Sequence, residues 1–258
     1  MAGWADFTRV WQHDCPIMRH VLTLALDTSS PAGSLAVLRD EQLIGTVSTW
    51  TKEIYSSRIF RHVDFLLKEL SLGLAEFDLF AVAAGPGSFT GVRVGLAAVK
   101  GWAEVYGKPI AAVSALEAVA AQSHSDAPVV VPVLDAHRGQ VYFGVYRRGG
   151  ESTDSIALAL DGEECVLNPE EFLASLDAKL KSSRYTIATP APEILAGLSS
   201  RNETFSGVER VSAVLAPHIG AIGYRRAQRG ELVDSLRLDA NYVRRSDAEL
   251  HWKAPKES

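Results

Sequence analysis

Two carboxylates stand where phosphate chemistry would place them. Asp27 closes the apolar run Val21–Asp27 (VLTLALD), and Asp135 closes Val129–Asp135 (VVVPVLD). Each opens onto a polar turn, Thr28-Ser29-Ser30-Pro31 in the first case and Ala136-His137-Arg138-Gly139 in the second. An acid at the mouth of a buried strand suits a hard cation and the phosphates it carries. A third feature is Gly85–Gly95 (GPGSFTGVRVG), which follows the apolar run Leu79–Ala84 and opens a helix-like segment. A glycine turn ahead of a helix N-terminus offers free N–H groups and a positive dipole end, which suits an anion. Two familiar phosphate signatures nevertheless fail here. A P-loop needs a lysine after its second glycine, whereas Thr90 precedes Gly91 and Val92 follows it. The dinucleotide fingerprint needs a small residue where Thr90 stands, and no ribose-binding acid follows at the right distance. The competing reading of Gly85, Pro86, Gly87, Ser88, Thr90 and Gly91 is a structural turn that lets a helix pack close to a strand.

Other chemistries find less support. Ser29, Ser30 and Ser88 invite a peptidase reading, but no His–Asp arrangement can be inferred around them, and turn and cap roles explain them. There is no H-E-x-x-H and no histidine pair four apart on a helix, so no metal site is expected.

The elements that must position these residues read as a module used twice. Val21–Asp27, Ser34–Leu38 and a run ending at Thr49 form a three-stranded meander. About 108 residues later Val129–Asp135 begins again, followed by the alternating run Gln140–Tyr146, a turn at Arg147–Gly150, and a third strand within 154–166. Helical periodicity predicts Tyr55–Leu70, with Ile59, Val63, Leu66, Leu67 and Leu70 on one side and Phe65 on the other beside Arg61 and Glu69. Leu79–Ala84 reads as a strand buried on both faces. The segment Phe89–Tyr106 carries only Arg93, Lys100 and Glu104 as charges, on one narrow stripe, so it must be covered on more than one side, by its own fold or by another protein. Pro169–Leu180 reads as a helix, Thr186–Ala188 as a weak strand, Glu193–Leu198 as a short helix, and Val211–Gly230 as a longer helix ending at glycine.

The chain has 258 residues, 47% apolar and 22% charged, with net charge −5 and a pI near 5.8. An acidic balance disfavours solitary nucleic-acid binding, although Arg225, Arg226, Arg229, Arg244 and Arg245 offer a local basic patch or, more simply, solvated charges. Cys15 and Cys165 form no C-x-x-C and fit a reducing cytoplasm. No apolar run is long enough to span a membrane. Residues 1–17 read as a disordered extension, with Met1 or Met18 as the start; 18–118 as a first lobe; 119–210 as a smaller, degenerate second lobe; 211–247 as a helix and closing segment packing back on the lobes; and 248–258 as a flexible tail.

Two such α/β modules, each with an acid before a hairpin, resemble the actin, sugar-kinase and Hsp70 superfamily, whose hairpins hold nucleotide phosphates between two lobes. The second turn here lacks that superfamily's glycine-rich backbone, and no Gly-Gly pair occurs in the last hundred residues, where its adenosine turn is usually found. Asp27, Thr28, Ser29 and Asp135 are therefore read as vestigial phosphate-site positions, with no cofactor expected beyond weak nucleotide binding.

More specifically, LALDTSSPAGSLAVLRDEQLIG, AVAAGPGSFTGVRVGLAAVKGWA and VLDAHRGQVYFGVY closely resemble the TsaB (YeaZ) family, strongly over residues 18–150. That resemblance implies a two-lobed actin-like fold and a bacterial, cytoplasmic, non-catalytic subunit in the making of threonylcarbamoyladenosine beside the tRNA anticodon. It implies a heterodimer with the catalytic subunit TsaD, joined by the ATPase TsaE, with TsaC-type enzymes supplying threonylcarbamoyl-adenylate. It also implies a possible homodimer without TsaD, and tRNA contact mainly through the complex. The family's inter-subunit contact uses two N-terminal helices, which here places Ile59, His62, Phe65, Leu66, Arg93, Leu96, Lys100 and Trp102 at the interface. TsaD's metal-binding helix carries a histidine pair; the matching helix here has only His62. Arg58 and Ile59 depart from a His-Ser opening more usual nearby. The alternative reading is an active phosphotransferase of the sugar-kinase type, with Asp27 and Asp135 around Mg-ATP.

Overall fold

A computed structural model of the chain describes residues 20–50, 58–149, 158–196, 204–241 and 243. The expected N-terminal extension, the polar tail and the start of the Tyr55–Leu70 helix lie outside the described residues.

The alternation of the first apolar runs is what builds the first sheet. Strands β1 (Leu22–Asp27), β2 (Ser34–Arg39) and β3 (Gln42–Ser48) form the meander, and β4 (Leu79–Gly85) and β5 (Ile110–Ser114) extend it, in the order β3-β2-β1-β4-β5. The meander is antiparallel, whereas β4 and β5 run parallel to β1. Leu24, Leu26, Leu35, Val37, Phe80 and Val82 point to one face, where helices α1 (Ile59–Leu70) and α2 (Phe89–Tyr106) cover them. Small residues, Ala25, Ala36, Ala81 and Ala83, point to the other face.

The second sheet repeats the plan. Strands β6 (Val129–His137), β7 (Gln140–Phe143), β8 (Tyr146–Arg148), β9 (Leu158–Leu160), β10 (Cys165–Leu167), β11 (Tyr185–Thr189) and β12 (Phe205–Arg210) give the path β10-β7-β6-β11-β12, with β8 and β9 alongside. The order and the parallel–antiparallel pattern match the first sheet position for position. This is a two-lobed α/β architecture in which one mixed-sheet plan is used twice.

Four local readings change. The run Gln140–Tyr146 is two strands, because pairing lapses at Gly144–Val145, yet β7 and β8 keep one register against β6. The third strand is likewise split into β9 and β10 around Asp161–Glu164, which bulges away from the ladder. The last helix, α5, spans Ala216–Gln228 rather than Val211–Gly230, since Pro217 occupies its first turn and the residues before it run on from β12. The weak strand reading at Thr186–Ala188 becomes β11, buried throughout and paired on both sides.

Helix α5 lies on the alanine face of the first sheet, and one core joins it to the short helix α3 (Ala115–Ala120) and to Val130, Ala136, Tyr142 and Ala188 of the second sheet. Helix α4 (Pro169–Lys179) covers the far face with Phe172 and Leu176. The chain is thus layered as α1/α2, first sheet, α5/α3, second sheet, α4.

Candidate functional site

The glycine-rich turn is explained by what lies beneath it. Gly87, Gly91 and Gly95 recur every four residues, on one side of the turn and of α2. A methyl group at Gly87 would sit 2.5 Å from the Ser29 carbonyl oxygen, at Gly91 2.0 Å from that of Thr28, and at Gly95 2.4 Å from Thr28 Oγ1. The glycines let α2 lie directly on the turn after β1. Hydrogen bonds seal the contact: Thr28 Oγ1 donates to the Gly91 carbonyl at 2.7 Å and Ser88 N–H to the Ser29 carbonyl at 2.7 Å. Ser88 also caps α2, its Oγ accepting from Gly91 N–H. The Gly85–Pro86 peptide is cis, and Gly85 holds φ +111° where only glycine is at ease.

The two aspartates are not equivalent. Asp27 is fully buried; its Oδ1 accepts from Ser29 N–H at 2.8 Å and Ser29 Oγ at 2.6 Å, while Oδ2 has no hydrogen-bond partner. Burial pushes its carboxyl up to about 6, with the Ser29 hydrogen bonds pulling partly back. Asp135 is half-exposed and accepts from His137 N–H at 2.7 Å, in a turn where His137, Arg138 and Gly139 all have positive φ. Between the turns after β1 and β6 lies a cleft of about 710 Å³, lined by Thr28, Trp50, Pro86, Asp135, Tyr142 and Ile194 among others.

This donor set does not fit a magnesium–nucleotide phosphate. The β1 turn has spent its Thr28 and Ser29 donors on α2 and on Asp27, the best-placed carboxylate is sealed from the cleft wall, and much of the lining is apolar. Among the described residues no group of three His, Cys, Asp or Glu side chains could hold a metal ion. Ser29, Ser30 and Ser88 all serve as turn or cap hydroxyls.

The outer face of α1 and α2 has a different character. Phe60 is 59% exposed, Phe65 55%, and Val105 74%, with Phe89 and Tyr106 also open to solvent. Phe60 meets Trp102 edge-on at 6.4 Å, and Trp102 continues inward to the fully buried Phe80 at 5.9 Å. The Arg93 guanidinium lies 3.7 Å from the Phe89 ring centroid. His62 is half-buried on this face; burial, with Arg58 and Arg61 beside it, holds its imidazole below the usual range.

The residues assigned to this interface divide. Phe65 and Arg93 are exposed, and His62, Lys100 and Trp102 are half-buried. Ile59, Leu66 and Leu96 are turned into the core, so they hold the helices down rather than meet a partner. Phe60 and Val105 present surface that the wheel reading missed; each is a large apolar side chain one position from the core stripe. The arginine cluster is corrected as well. Arg225 pairs with Glu41, Arg226 with Glu117 and Arg229 with Glu231, so their charges are balanced within the chain and form no open basic patch; Arg244 and Arg245 lie outside the described residues.

Comparison with known proteins gives this geometry a family. A model described as TsaD, tRNA N6-adenosine threonylcarbamoyltransferase, matches residues 39–218. The tRNA threonylcarbamoyladenosine biosynthesis protein TsaB of Haemophilus influenzae is 37% identical over 242 residues, covering 92% of this chain and 98% of that protein. The TsaB of Bacillus subtilis is 39% identical over 124 residues, 48% of this chain and 54% of that one. A solved Pseudomonas aeruginosa structure, described as an uncharacterized protein with similarity to peptidase YEAZ, is 27% identical with TM-score 0.72, covering 87% of this chain and all of that one. With a relative this similar across nearly its whole length, the chain belongs to the TsaB (YeaZ) family.

Proposed function

We propose that this chain is a non-catalytic subunit in the biosynthesis of threonylcarbamoyladenosine on tRNA, acting by binding and activating the catalytic subunit TsaD. Family membership supplies the pathway. The observation that carries the partner role is the exposed apolar surface of α1 and α2, Phe60, Phe65, Phe89 and Val105, with the half-buried Trp102 beside Phe60, on one side of the first sheet. Such a patch on an otherwise acidic, charged chain suits a protein partner with an apolar face of its own. The commitment of the β1 turn to internal hydrogen bonds supports a scaffold over a phosphotransferase. On this reading TsaE joins the pair, tRNA is contacted through the complex, and no tightly held nucleotide is required.

The test is co-expression with TsaD of the same organism, followed by gel filtration and a threonylcarbamoylation assay. Phe65→Asp should weaken association by at least about tenfold while leaving circular dichroism and melting temperature unchanged, as an exposed central aromatic would. Trp102→Asp is a poorer probe, because Trp102 also packs on Phe80 in the core. Unaltered complex formation with Phe65→Asp and Phe60→Asp combined, or full modification in the absence of this chain, would remove the reading.

A further inference from the structure

A second cleft, of about 700 Å³, lies on the other side of the glycine turn and is lined by Ser114, Glu117, Tyr146, Glu164, Arg226 and Asn241 among others. It is strongly polar, and both of its arginines are already paired within the chain, Arg226 with Glu117 and Arg229 with Glu231. Arg226 donates to Glu117 and to the Ala112 carbonyl, pinning the end of α5 to α3 and β5. Glu164, in the bulge between β9 and β10, gathers three donors. Its Oε1 accepts from Ser114 Oγ and, at 2.6 Å, from Tyr146 Oη; its Oε2 accepts from Asn241 Nδ2 at 2.6 Å. Ser114 ends β5 of the first sheet, Tyr146 begins β8 of the second, and Asn241 belongs to the closing segment. Asn241 in turn donates its backbone N–H to the Ala84 carbonyl at 2.7 Å, and its own carbonyl occupies the place a side chain at Gly85 would need.

We propose that Glu164 is a positioning residue which, through Asn241, couples the second lobe to the glycine turn and so to the N-terminus of α2. A carboxylate suits this place because both of its oxygens accept, here from two hydroxyls and an amide at once. The bulge between β9 and β10 is what frees Glu164 from the ladder and lets it reach across to the first sheet. A movement of the second lobe then reaches the turn by one contiguous path, Glu164 to Asn241 to Ala84 and Gly85, and the turn carries α2 through Ser88. The coupling stands on contacts within this chain. Only its use, adjusting the partner-facing helix, rests on the function proposed above.

The experiment uses the full-length chain alone, with hydrogen exchange read at the amides of Asn241, Ser88 and Gly91, and at β11 as a control. Asn241→Asp sets two carboxylates against each other, and should speed exchange at Asn241 and Ser88 on the order of tenfold, with β11 unchanged. The double variant Asn241→Asp with Glu164→Gln restores a donor–acceptor pair and should return exchange to the parent rate, as Glu164→Gln alone should when the Asn241 amide turns over. Plain destabilisation would not be rescued in this way. Unchanged exchange in Asn241→Asp, or faster exchange that persists in the double variant, overturns the coupling. Failure to associate with TsaD would instead bear on the proposed function, since no partner is present in the exchange measurement.

Discussion

Asp27 shows how far a residue type can be read and where the reading stops. Its position at the end of a buried strand was legible, and so was that of Asp135. What the sequence could not show is that Ser29 closes over the first carboxylate while the second stays half-exposed, because that depends on how α2 lies on the turn. The consequence is measurable. The Asp27 carboxyl sits at about 6 in the folded chain, against roughly 4 when unfolded, so the folded state holds the proton more tightly. The stability this provides is full below about pH 4 and is lost as pH rises through 6, by on the order of 3 kcal/mol. Asp27→Asn keeps an acceptor for Ser29 and cannot ionise. Urea unfolding from pH 4.5 to 8 should show the parent losing stability across that range relative to the variant; parallel curves for the two proteins would refute the assignment.

At the scale of the element, the glycine run is the instructive case. The spacing of Gly87, Gly91 and Gly95 was visible as a small-residue stripe, but phosphate-binding turns and close helix packing share that signature. The backbone of Thr28 and Ser29 decides between them, and it is distant in sequence. Two glycines of α2 should therefore respond oppositely to alanine. Gly101 faces open space, so Gly101→Ala should stabilise by roughly 1 kcal/mol through helix propensity. Gly91→Ala would force its methyl group to within 2.0 Å of the Thr28 carbonyl oxygen. It should destabilise by about 1–3 kcal/mol or more as α2 lifts from the turn. Melting temperatures that move in the same direction for both would contradict this account of the turn. Family resemblance points to the two helices without saying which of their faces looks outward, so it could not separate Ile59, Leu66 and Leu96, which pack in the core, from Phe65 and Arg93, which are exposed.

For the whole molecule, duplication was legible because each half begins with a buried strand, an acid and a hairpin. The filling between the halves was not. Helix α5 belongs to neither repeat, and its place depends on small residues that approach closely: a methyl at Gly223 would come within 2.8 Å of Ala81 Cβ and 3.2 Å of Ala111 Cβ. Ile219, fully buried, lies in the single core shared by α5 and both sheets. Two lobes that share a core should not unfold separately. With Trp4, Trp11 and Trp252 replaced by Phe, urea transitions followed by tryptophan fluorescence, which then reports Trp50 and Trp102 of the first lobe, and by far-ultraviolet circular dichroism should coincide. Ile219→Ala should lower both midpoints together, by about 2–5 kcal/mol, because the cavity opens in the core that the two sheets share. Two separated transitions, or a loss confined to one probe, would mean that each sheet is stabilised by its own outer helices and that α5 is only an appendage. The single transition instead follows from the core that α5, seated on the first sheet, shares through α3 with the second sheet.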